Sequence, residues 1–347
     1  MHNMKCQRTF KSKDRSGFTL LEVMLSVAVL AILMVLVTTV ISSAQRAWSR
    51  TSGTISQFRE ARKAFDTIKR YLGQASLNTY MRYSYPGGSY SPFSSAGAES
   101  KNVAPTSYSP YSELQFICGP TTTVIPAADG KSMTGHAVFF QAPIGWSPEH
   151  ANMPTLLNGR GYYVKFSDDL AIRPDFLAKR LPPIYRYRLM EYAPSAEMNR
   201  VYDQTTAGTQ SDWFTDYATS SRPLASNVLA LFFSPRRPTP PSATKQELRD
   251  IAPAYLYNSS DVNGKSPHEL PPVVDVIMVV LDERSAQRLA DTSQSSPPIT
   301  IAGFTQATGD KLREDLQALE TQLISLKVNY RIFDASVPLR NSKWATR

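Results

Sequence analysis

Glu22 is the one charged residue in a run of 24, residues 18–41, FTLLEVMLSVAVLAILMVLVTTVI. A lone carboxylate costs about 2.5–3.5 kcal/mol at the centre of a membrane and less near its edge, so an acid in such a run asks for a partner. Just before it, Ser16-Gly17-Phe18 joins a basic stretch to the apolar one. Gly17 has no Cβ, which lets the backbone enter a narrow protein cleft and take dihedrals closed to other residues. Elsewhere the reactive residue types are scattered. His2, His136, His150 and His268 show no metal-ligand spacing. Ser242 and Lys245 fit Ser-x-x-Lys, but in a Pro-rich stretch and without the companion motifs. Residues 261–264, Asp-Val-Asn-Gly, lack the regular acids and distal Glu of a calcium loop and read as a turn. There is no Gly-x-Ser-x-Gly and no phosphate-cradling glycine loop. The expectation is no catalytic residue, no metal and no cofactor, and hence no enzyme.

The element that holds Glu22 is a helix. At about 1.5 Å per residue, residues 18–41 reach about 36 Å, enough for a bilayer core of about 30 Å. The run is too long for a secretory signal peptide and carries an acid. A plain single-pass anchor fits the length but gives no reason for Glu22. Charge does not orient the span. Lys5, Arg8, Lys11, Lys13 and Arg15 precede it, and Arg46, Arg50, Arg59, Arg62 and Lys63 follow it. Of the net charge of +9, residues 1–17 carry +4, leaving a mild +5 that gives no nucleic-acid signal.

Ser16-Gly17-Phe18-Thr19-Leu20-Leu21-Glu22, behind a short basic leader, resembles the processing motif of type IV prepilins and type II secretion pseudopilins. The resemblance implies a cut between Gly17 and Phe18 by a prepilin peptidase, an intramembrane aspartic protease, on the cytoplasmic side. It implies N-methylation of Phe18 and, in an assembled filament, pairing of Glu22 with the N-terminal amine of a neighbouring subunit. It places the chain as a single pass in the inner membrane, with a cytoplasmic N-terminus and a body that is periplasmic, or extracellular in a filament. The implied partners are the peptidase, other pilins or pseudopilins, a membrane assembly platform and inner-membrane lipid, with no nucleic acid expected. Residues 270–281, LPPVVDVIMVVL, resemble the apolar strand of the larger J-type minor pseudopilins. The whole length, with its ending IFDASVPLRNSKW at 332–344, resembles the Verru_Chthon cassette protein C family. The function implied is a minor pilin or pseudopilin of a type IV pilus or type II-like secretion system. The alternatives are a major adhesive or DNA-binding pilin, and a membrane-anchored enzyme or binding protein that uses the segment only as an anchor.

The fold expected is α+β and pilin-like, a long N-terminal helix packed on an antiparallel sheet with large loop insertions. Residues 1–17 form the leader, 18–44 the transmembrane helix, 45–77 its amphipathic continuation, 78–110 a Tyr/Ser/Pro-rich loop and 111–347 a β-rich domain. Ile55, Phe58, Ala61, Phe65, Ile68, Leu72 and Ala75 recur at helical spacing. The Ser/Thr run around Gly53, residues 49–56, predicts a kink or partial melt. Strands are expected at 111–118, 136–142, 161–166, 184–192, 227–233, 273–281 and 326–334. Of these, 184–192 is expected to be half-buried with one wet face, and 273–281 central and covered on both faces. Loops are expected at 235–241 and 253–272. A helix is expected over 309–324, with Asp310 as N-cap and Leu312, Leu316, Leu319 and Leu323 as its stripe. Cys118 reads as a buried apolar side chain and pairs with nothing, because Cys6 lies before the cut.

Overall fold

A computed structural model describes residues 17–342, apart from the stretches 86–87, 90–105, 126–131, 203–212, 239–249, 293–295 and 305–310 and positions 179, 262, 265 and 302. The leader before Gly17, Ser242, Lys245, Asp310 and Trp344 therefore lie outside the described residues. The chain divides into two compact units, residues 1–53 and 54–347.

The first unit is helical. Helix α1 is Leu20–Leu72, and Leu20–Ile41 is apolar except for Glu22 and a few hydroxyls. Val27, Leu30, Leu33 and Val37 are each more than half exposed. The hydroxyls turn back onto the helix. Ser26 bonds the Val23 carbonyl at 2.9 Å and Thr38 that of Met34 at 2.8 Å, so neither needs water. The expected melt around Gly53 is not there: residues 49–56 are helical. One glycine costs about 1 kcal/mol relative to alanine, too little to interrupt a helix with an apolar run before it and an amphipathic one after it.

The second unit is built on antiparallel pairs. A six-stranded sheet runs β10-β4-β5-β6-β7-β8, a three-stranded sheet runs β12-β11-β9, and a small one runs β2-β1-β3. The strands are β1 Tyr80–Tyr85, β2 Gly88–Ser89, β3 Ser107–Tyr111, β4 Ile117–Pro120, β5 Met133–Pro143, β6 Leu157–Ser167, β7 Arg186–Tyr192, β8 Ser221–Ser226, β9 Val228–Arg236, β10 Tyr257–Asn258, β11 Val273–Leu281 and β12 Tyr330–Pro338. Single-turn helices α2 Thr121–Val124, α3 Asp175–Ala178 and α4 Tyr217–Ser220 lie between them, with longer helices α5 Glu283–Thr292 and α6 Lys311–Ser325. The protein is thus an α+β fold with a long N-terminal helix.

Strand β9 packs across β4, β5, β6 and β7, and the core lies between the two larger sheets and under α1. Ala61, Phe65, Ile68 and Leu72 of α1 are buried in it, and Phe65 meets Phe333 of β12 at 5.9 Å between ring centres. Ile55, first in the apolar stripe, is exposed. Polar ties fasten the same stretch. Gln57 donates to the Leu281 carbonyl at 2.8 Å, and Arg340 N–H to the Gly73 carbonyl at 3.3 Å. Asn341 donates to the Ala75 carbonyl at 3.0 Å. Arg160 of β6, buried, lies 4.9 Å from the centre of the Tyr71 ring and 3.3 Å from the Glu191 carboxylate. Glu191, also buried, accepts from Tyr162 and Arg222 as well. Such a pair is costly to break from one side, about 3–5 kcal/mol.

Several expectations hold. Residues 273–281 are β11, between β12 and β9 and largely buried. Leu312, Leu319 and Leu323 are buried, with Leu316 packed beside them, and Cys118 is buried. Others are corrected. Residues 111–118 are not one strand: β3 ends at Tyr111 in the small sheet and β4 begins at Ile117 in the large one. Between them polar side chains replace ladder partners. Ser112 Oγ accepts from Leu114 N–H, Gln141 from Gln115 N–H and Ser259 from Phe116 N–H. Strand β7 has no wet face of the kind expected: consecutive residues, and so both faces, are buried, with only Arg186 and Met190 partly open. Arg188 is buried there because the carbonyls of Ser167 and Asp168 accept from its guanidinium. The last strand starts at Tyr330, four residues later than expected, because α6 ends in a turn with Lys327 at φ +53°. Pro235 lies inside β9, β10 falls within 253–272, and the stretch read as a loop at 78–110 contains β1 and β2 and most of β3.

Candidate functional site

The helix does not start at Phe18. Gly17, Phe18 and Thr19 precede it, and Leu20 opens it. Phe18 is exposed. Thr19 and Glu22 hold the start reciprocally. Glu22 N–H donates to Thr19 Oγ1 at 3.3 Å, and Thr19 N–H donates to Glu22 Oε2 at 3.0 Å. The threonine hydroxyl also donates to Glu22 Oε2, at 3.2 Å. This is a capping box, Thr-x-x-Glu, satisfying two backbone amides that a helix start leaves open. The carboxylate also sits in the first turn, where the helix dipole favours negative charge.

The three residues singled out in the sequence thus come together in six positions. Gly17-Phe18 is an exposed, non-helical peptide, and among the described residues nothing stands within 4 Å of a Cβ built on Gly17. An exposed, non-helical peptide ahead of a capped helix leaves its backbone open to a protease. A cut between Gly17 and Phe18 would leave the new amine about one helical turn from Glu22. The pairing of Thr19 with Glu22 was missed in the sequence, although Thr-x-x-Glu ahead of an apolar run is its signature.

Residues 12–38 match the prokaryotic N-terminal methylation motif. The match spans Gly17, Phe18, Glu22 and most of the apolar run, and it supports a type IV prepilin-like protein. No curated protein and no solved structure matches the chain. The helix carrying the methylation motif is long and apolar enough to cross a membrane, which fits a membrane-anchored protein.

In the second unit the remaining candidates separate. His136 is buried and spent on backbone. Its Nδ1 accepts from Phe233 N–H at 3.1 Å, which puts the proton on Nε2, 3.3 Å from the Phe304 carbonyl. Burial lowers its pKa to about 4, so it is neutral at pH 7. It lines a cleft of about 610 Å³ with Met133, Phe232, Ile299 and Phe304. His268 is buried against Tyr111, ring centres 4.7 Å apart. His150 meets Glu149 and Glu197 on the surface, ligand atoms within 4.8 Å of one another. Ser147 ties that group together through Glu197 and the His150 amide. At the turn expected over 261–264, of which 262 lies outside the described residues, Gly264 N–H donates to the Asp261 carbonyl at 3.0 Å.

Proposed function

We propose that this protein is a minor prepilin-like structural subunit. It is cut between Gly17 and Phe18 by prepilin peptidase, N-methylated on Phe18, and assembled with other pilins or pseudopilins in a type IV pilus or type II-like secretion system. The observation that carries this reading is the methylation motif lying across an exposed Gly17-Phe18 peptide and Glu22. The exposed apolar helix supports it, because such a surface needs lipid or the helices of other subunits around it. The large body favours a tip or initiating position over a repeating shaft. The topology that goes with this reading is a cytoplasmic leader and a body beyond the inner membrane. The likeness of residues 332–344 and of the overall length supports the Verru_Chthon cassette protein C family as its branch. A structural subunit, not an enzyme, is the reading that the residues support.

N-terminal sequencing and mass spectrometry of the chain from membranes of its own host test this. The expected mature end is methylated Phe18, and Gly17→Leu leaves the precursor about 2 kDa heavier, because a side chain at the cut obstructs the protease. A mature end at Gln45 would reject the prepilin reading.

A further inference from the structure

The two edges of the three-stranded sheet are finished differently. Backbone bonds at the ends of β11 fix which groups face outward: Asp282 N–H donates to the Asn329 carbonyl and Leu339 N–H to that of Pro272, both at 3.0 Å. Bonded and non-bonded pairs alternate along an antiparallel ladder. With Val274 opposite Val337 and Val280 opposite Arg331, the amides of Arg331, Phe333, Ala335 and Val337 face β11. Those of Tyr330, Ile332, Asp334 and Ser336 face away from the sheet. The same alternation turns Leu231 and Phe233 of β9 outward on the other edge, and there β5 closes it. Phe233 N–H donates to His136, and Thr134 donates to the Leu229 carbonyl at 2.7 Å. Gly135, at φ +73°, brings the backbone so close that a Cβ would stand 2.6 Å from the Leu231 oxygen. On the β12 edge, among the described residues, no group bonds the outward amides or carbonyls of Ile332, Asp334 and Ser336.

An open strand edge is a template for another strand. From Tyr330 to Ser336 it offers about 20 Å, and Pro338 ends it. The exposed side chain at its centre is Asp334. Two copies paired antiparallel over the whole of β12 would set Asp334 against Asp334, and like charges directly opposed are destabilising. We propose that the β12 edge receives an extended strand from a different protein chain, one that presents a basic side chain opposite Asp334. This inference stands on the sheet alone and does not depend on the reading of the N-terminus.

The test uses the full-length chain in detergent, carrying two different affinity tags, with an Asp334→Lys copy as the probe. Association through the N-terminal helices is common to every mixture, so the comparison isolates the edge. The wild type is expected to capture the Asp334→Lys copy on the order of fivefold to tenfold more than either captures its own kind. Ile332→Pro in either copy should abolish the excess, because it removes an outward amide and leaves the β11 ladder intact. Ser336→Pro should act likewise, and an unchanged thermal melt shows that the sheet survives either change. Equal capture in all mixtures at background level overturns the proposal. Strong capture of wild type by wild type that Ile332→Pro abolishes overturns it in favour of a second copy as the occupant.

Discussion

Val27, Leu30 and Leu33 in α1 and Val276, Val279 and Val280 in β11 are the same kinds of side chain in opposite conditions. The first three are more than half exposed, and the second three have no exposure. In the body, pairing and packing between the sheets already remove these core side chains from water. In the first unit every apolar side chain from Leu20 to Leu25 still faces outward, so its burial has to come from lipid or other chains. The contrast separates a part that folds by itself from a part that is completed by its surroundings.

The largest effect should come from separating the two. Residues 45–347 are expected to be soluble without detergent, with a mixed helix and strand circular dichroism spectrum and a cooperative melt, whereas the full chain stays with the membrane. A disordered or wholly helical spectrum would show that the body needs the N-terminal helix to fold.

Glu22 sharpens the comparison from the other side. Glu22→Ala removes the capping box and the charge together, while Glu22→Gln keeps a capping side chain and loses only the charge. If the acid pairs with a neighbour's amine in the assembled state, both variants should be cut and inserted normally and both be absent from sheared filaments. A buried charge left unpaired costs about 3–5 kcal/mol, a factor of hundreds or more in docking. If its only use is the cap, Glu22→Gln should assemble like the wild type, and Glu22→Ala should lose about 1 kcal/mol of helix stability.

A smaller effect belongs to the body alone. His136 is depressed to about 4 from an ordinary 6.5, so the unfolded chain binds a proton that the folded one refuses. Its stabilising contribution is full above pH 6.5, falls as the pH drops from 6.5 towards 4, and levels off below that. The loss is up to about 3 kcal/mol. Denaturant melts of residues 45–347 at pH 7 and pH 4.5 should show a drop in stability, and His136→Gln should flatten it. An equal drop in the variant would assign the pH dependence to other groups.

The strand β11 could be read directly because its run of nine is almost wholly apolar and follows Pro271-Pro272. The α6 stripe showed through its leucine spacing. At the N-terminus, Gly17, Phe18 and Glu22 were found by residue type and order. What was missed depends on contacts distant in sequence or on weak local signals. Strands β1 and β3 are rich in Tyr and Ser and are strands because each pairs with the other, Tyr80 opposite Tyr111. Helix α5 has few apolar residues and is announced mainly by its cap, Asp282 accepting from Ser285 N–H at 2.8 Å. Residues 111–118 looked like one strand because a pattern cannot show that Ser112 and Gln141 supply the backbone's partners. His136 was weighed as a metal ligand by spacing, although its use is to close the edge of β9.

The fastenings of α1 also have a mechanical meaning. Gln57, Phe65 and Tyr71 each hold a different level of α1 and the Gly73 carbonyl the turn just past it, spread over about 24 Å between residues 57 and 73. A pull along the axis from its N-terminal end would load these ties together, in shear, instead of peeling them one at a time. The Arg160–Glu191 pair meets that line at Tyr71, next to the last of the ties. A helix held in this way can carry tension along its axis without first being peeled from the sheet.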